Sequence, residues 1–268
     1  MLCNVYYSIK AKIIKGVNVM GKYFWETSES IPDGLGFSAY GPLHFAWIGA
    51  FIISAVLLSL IYRRLDDRKR NLMLKIMALL IFADELGKYF LVLYGHHSML
   101  DYLPLHLCSI NIYVILYHAW FAKSDRVKEI IGNFLYALCM PAALAAILCP
   151  TWTRLPITSF MHIHSFTVHI MLFIYPLLLL AGGLRPRFSV FRKAIMPLCG
   201  VAVLVFVFNK IFDTEYMFLN GAGTGNPLSF FEGLWGNPGY LASIPLIFGA
   251  VWSIMFGIPA LWRRKVDK

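Results

Sequence analysis

Long apolar runs alternate with short polar, mostly basic segments along the whole chain. A membrane-spanning helix needs about 20 mostly apolar residues. Seven stretches reach that length: roughly 43–62, 72–94, 103–121, 130–149, 161–182, 194–212 and 239–262. The pattern predicts an all-α polytopic membrane protein, a bundle of seven transmembrane helices spanning 43–262. Residues 1–42 read as an N-terminal extension with an interfacial segment, and Met20 is an alternative start that would set residues 1–19 aside. Residues 263–268 read as a basic tail. The segment 213–238 is rich in Gly, Asn and Pro and predicts an irregular loop.

Composition agrees: 59% of the 268 residues are hydrophobic. The net charge of +10 does not indicate a nucleic-acid surface, because the basic residues cluster in the connections. Connections 63–70, 122–129 and 183–193 and the C-terminus hold most of the Lys and Arg, whereas 95–102 and 213–238 hold none. The positive-inside rule then places the N-terminus outside and the C-terminus in the cytoplasm. The five cysteines are scattered and form no CxxC pair, so neither a zinc framework nor a disulfide scaffold is indicated.

With that orientation, the ionisable residues inside the spans gather in the outer half. They include His44, Asp84, Glu85, Lys88, His106, His162, His164 and His169, with Cys108, Ser165 and Asn209 alongside. At ~1.5 Å per residue, Cys108, His169 and Glu85 lie about 8, 12 and 13 Å below the outer helix ends. Polar groups at matching depth on several helices predict one shared pocket. His162, Ser165 and His169 form a single helical stripe at i, i+3 and i+7, and Glu85 and Lys88 share a face.

Three chemistries fit these residues. A thiol becomes a nucleophile when a base or positive charge favours its thiolate, so Cys108 with a histidine from another helix would make a catalytic pair. The histidines would alternatively hold helices together by hydrogen bonds, or bind a metal, although no HExxH-type spacing supports a metal. The HHSMLD segment (96–101) has the H-x4-D spacing of some glycerolipid acyltransferases but none of their flanking pattern.

LPLHLC (103–108), GPLHFAW (41–47), GNFLYALCMPAALAAILCP (132–150), HSFTVHIMLFIYP (164–176) and NKIFDTEYMFL (209–219) together resemble the YwaF-like bacterial integral membrane family. That family is similar to the eukaryotic transmembrane protein 164 group, which looks like a set of acyltransferases acting on ether phospholipids. The resemblance implies an intramembrane lipid acyltransferase or lipid hydrolase working through a thioester, with Cys108 as the acyl-accepting nucleophile and His169 as its base, in a bacterial plasma membrane. A phospholipid or lysolipid would be the substrate, with no cofactor, no metal and no nucleic acid. His44, Glu85, Lys88, His106, His164, Ser165 and Asn209 would line or support the pocket. A transporter or ligand-binding protein, with Lys88 and Lys210 as ligand contacts, is the other class open to this sequence.

Overall fold

The computed structural model describes residues 22–28, 30–223 and 225–266, with side chains described to residue 257. The proposed extension at 1–19 lies outside the described residues. Those residues form helices and turns, with no strand among them. We number the α-helices α1 (Pro42–Arg64), α2 (Asp67–Tyr94), α3 (Leu107–Trp120), α4 (Asp125–Leu148), α5 (Phe160–Ala181), α6 (Phe188–Phe212), α7 (Pro227–Trp235) and α8 (Ser243–Val266). Every predicted span falls on one of them. Among the described residues, five helical segments are long and apolar enough to cross a membrane: α1, α4, α5, α6 and Gly239–Gly257, which leads into α8. The protein is therefore an all-helical membrane protein with several spanning helices. α3 has only 14 residues, and α2 carries Lys75, Asp84, Glu85 and Lys88.

Helix ends follow local chemistry. Asp66 caps α2 by accepting the Lys69 N–H at 2.9 Å, and Ser159 caps α5 by accepting the His162 N–H at 3.1 Å. Polar flanks extend the helices beyond their apolar runs, so α2, α4 and α6 begin about five residues ahead of the predicted spans. α3 departs the other way. Pro104 has no N–H to offer, and His106 is extended (φ −71°, ψ 148°). His106 is therefore the N-cap of α3 rather than a residue within it, and Cys108 falls in the first turn. The 213–238 segment is more ordered than an irregular loop. It holds a 3-10 turn at Tyr216–Phe218 and the helix α7, which Asn226 caps through the Leu228 N–H at 2.8 Å. α8 continues through Val266, so the predicted tail begins as helix.

α5 is the axis of the bundle and packs against α1, α2, α3 and α4. Its buried residues occur all around it, from His162 and Phe166 to Leu172, Tyr175 and Leu178. A helix that is apolar all round belongs inside. α4 contains a π-helical segment, Leu135–Cys139, buried throughout, ahead of Pro141. α1, α6 and α8 are peripheral and expose apolar side chains such as Ile53, Leu204 and Leu246. α2 divides the two roles. Leu74, Met77, Ile81, Glu85, Lys88 and Val92 form its buried stripe, whereas Leu72, Leu79, Phe90 and Leu93 are exposed.

Candidate functional site

The α2 stripe carries its charges inward onto α5. Glu85 (1% exposed) and Lys88 (7% exposed) form an ion pair at 2.5 Å. The Tyr89 hydroxyl donates to the same Glu85 oxygen at 3.0 Å. From α5, His164 brings Nε2 to 3.8 Å from Glu85 and Nδ1 to 3.2 Å from Asp84. Nδ1 is close to Asp84 yet out of line for a hydrogen bond, so it stays buried without a partner. The Thr167 hydroxyl lies 3.3 Å from Asp84 and also bonds the Ile163 carbonyl at 2.7 Å.

Cys108 stands in the first turn of α3. The His106 cap supplies no side-chain bond there. Cys108 and His169 are each half-buried. Among the described residues no hydrogen bond joins the two.

The α5 histidines divide by what holds them. His169 Nδ1 lies 2.6 Å from the Ser165 carbonyl. A carbonyl only accepts, so Nδ1 carries the proton, and in the neutral ring Nε2 keeps its lone pair. Trp152 stacks on the ring at 5.3 Å, with planes 10° apart. His162 instead accepts the Trp47 indole N–H at 2.9 Å, within a nest of Phe37 and Phe166. The Ser165 hydroxyl donates to the Met161 carbonyl of its own helix at 2.7 Å.

His44 and Asn209 have other partners. His44 accepts the Tyr40 N–H at 2.9 Å and donates to the Ile147 carbonyl at 2.8 Å, joining α1 to α4. Asn209 accepts from the Thr214 hydroxyl (2.8 Å) and the Tyr216 N–H (3.1 Å), and donates to the Tyr216 carbonyl (2.8 Å). Asn209 therefore fixes Tyr216, whose ring lies 4.9 Å from that of His106. The Tyr216 hydroxyl donates to the Leu100 carbonyl and accepts the Leu103 N–H at 2.9 Å, while burial pushes its phenol up to about 12.

Sequence reasoning missed Tyr216, Trp152, Tyr89 and Asn111. TEYMF and PTWTR lie in connections, where an aromatic gives no periodic signal. Asn111 sits on α3 one turn beyond Cys108. It uses its amide N–H on the Leu107 carbonyl at 2.9 Å and leaves its buried Oδ1 without a partner. Its i+3 spacing from Cys108 was the available signal.

The fold and these inward-facing charges define a multi-pass helical membrane protein with a polar interior. A family model described as the TMEM164 family matches residues 39–256, most of the chain and every one of its long helices at least in large part. The chain belongs to the TMEM164 family. Comparison with curated proteins and with solved structures gives no match.

Proposed function

We propose that the protein transfers or hydrolyses acyl groups of membrane lipids through Cys108 and His169. The observation that carries this reading is the pairing of environments. Cys108 sits at an uncapped helix N-terminus, where free N–H groups and the helix dipole favour negative charge, and His169 presents an unprotonated Nε2 from the neighbouring helix. In the first step His169 Nε2 takes the thiol proton and the thiolate attacks the ester carbonyl. The C–S bond forms, the C–O bond breaks, and His169 returns the proton to the departing lysolipid alcohol. In the second step a water or another lysolipid hydroxyl gives its proton to His169 and attacks the thioester, and the thiol is restored. The two residues come into line only around a substrate, as loosely aligned resting sites often do. Donors from the first turn of α3 would hold the oxyanion, a role typically worth about 3–4 kcal/mol per donor.

The reading includes seven spans, α1 to α6 and α8, with the N-terminus outside and α2 crossing polar side inward. A pocket holding Cys108 and His169 would then open toward the outer leaflet of a plasma membrane. A transport or ligand-binding role draws less support. Lys88 is held by Glu85, and Lys210 donates to Asn220 at 2.6 Å, so neither cation stands free for a ligand. The test is transfer or release of a labelled acyl chain by purified protein in nanodiscs. Wild type should form a hydroxylamine-sensitive acyl adduct, and Cys108→Ser should form no such thioester. An adduct or full turnover in Cys108→Ser would refute the mechanism.

A further inference from the structure

At the opposite end of the bundle from Cys108, the N-termini of α4 and α6 meet around a cleft of about 360 Å³. Asn133 holds the two helices together. Its Oδ1 accepts the Arg187 N–H at 2.6 Å, and its amide donates to the Glu129 carbonyl at 2.8 Å. Arg126, Arg187, Arg192 and Lys193 line the cleft, with Glu129 as the acid among them. Glu129 is taken by Arg187. Among the described residues, Arg126, Arg192 and Lys193 form no ion pair or hydrogen bond, so three cations face one concave space uncompensated. Neither Ser124 nor Arg187 caps its helix with a side chain; the first turn of α6 holds no acid and adds its N–H groups to the field, whereas that of α4 holds Asp125.

This differs from the other basic run at the same end. In 63–70, Lys69 pairs with Asp66 at 3.1 Å and Arg70 with Asp67 at 3.4 Å. That charge is partly neutralised and lies outside the cleft. The α4–α6 cleft is also flanked by Phe188, half of whose surface is exposed, at the start of the apolar outer face of α6. Planar guanidinium groups, a flexible ammonium and helix N-termini together suit a phosphate ester.

We propose that this cleft binds an anionic phosphate ester, the headgroup of a membrane lipid lying against α6 being the source its apolar flank favours. Basic pockets between spanning helices on the cytoplasmic side are suited to anionic headgroups. The site is separate from Cys108 and does not depend on the chemistry proposed there.

The test uses the full chain in nanodiscs of phosphatidylcholine doped with phosphatidic acid, with retained lipid read by native mass spectrometry. Inorganic phosphate and glycerol 3-phosphate serve as soluble probes in thermal-shift titrations. Wild type should retain phosphatidic acid over phosphatidylcholine. Arg192→Gln/Lys193→Gln should weaken that retention about tenfold or more, the scale expected from two lost cations near a membrane surface. Arg126→Gln, a single exposed change, should weaken it less and provides a second reading should the double variant misfold. Arg68→Gln/Lys69→Gln should leave it unchanged. A thermal shift with the soluble probes, abolished by the same cleft variants, would support the phosphate site with a free ester as its source. Equal retention in wild type and all cleft variants would overturn the proposal. So would an equal loss in the 68/69 control, which would reduce the effect to bulk charge.

Discussion

Single side chains separate catalytic from supporting roles by the bonds they already make. Cys108→Ser keeps the size of the side chain but replaces a thiol with a far less acidic hydroxyl, so acyl turnover should fall to background. His169→Ala should lower the rate by about 10²–10⁴-fold with the fold intact, as loss of a positioned base does. His162→Ala should mainly cost stability, because Trp47 loses its acceptor. Acyl-release kinetics alongside thermal denaturation would separate the two histidines. Cys139→Ser should leave turnover near normal, since its thiol only donates to the Leu172 carbonyl at 3.3 Å in the buried core. Asn209→Ala removes three hydrogen bonds in a fully buried setting and should lower stability by roughly 2–3 kcal/mol, read from denaturation in detergent. The sequence picked out both histidines by their stripe, but not what distinguishes them. That difference comes from Trp47 on one side and the Ser165 carbonyl on the other, contacts that neither period nor composition encodes.

Helices were legible where apolar runs were long, and less so at their ends. Asp66 shows the chemistry of one end. The Lys69 N–H and ammonium hold its carboxyl below the usual carboxylate range. A depressed carboxyl adds stability that is fully present above its unfolded value and is lost as pH falls through its folded one. The melting difference between wild type and Asp66→Ala should therefore be present at pH 7 and fade as pH falls below the usual carboxylate range, though it should be small because Asp66 is exposed. A difference that persists in strong acid would assign the effect to packing instead. The shortened start of α3 could be suspected from Pro104, and α7 from the NP start at 226–227 and the Gly236 stop. The π segment of α4 could not, because LYALC is apolar on every face and no periodicity breaks there. The inward turn of the α2 charges was legible from Glu85 and Lys88 sharing a face, but their contact with His164 depends on how α5 packs.

At the scale of the whole molecule, the distribution of basic connections predicts a cytoplasmic C-terminus. A reporter fused after Lys268 should be active only in the cytoplasm, and a periplasmic or extracellular signal would invert the proposed orientation. The peripheral helices α1, α6 and α8 present their exposed apolar side chains to lipid, so the polar interior depends on α5 and its immediate neighbours. The brevity of α3 bears on how a lipid would reach it. Fourteen residues make a rod about 21 Å long, well short of the ~30 Å hydrocarbon layer. On the proposed seven-span reading the 95–106 connection, tied down by Tyr216, would enter this depth, and non-helical backbone there is tolerated only where protein or water shelters it. The bilayer beside α3 would thin to meet this mismatch, bringing the headgroup region down toward the start of the helix. The ester linkages of a phospholipid lie just beneath its headgroup. On the proposed orientation, such a lipid would approach Cys108 by sideways diffusion within its own leaflet, without being drawn out of the membrane.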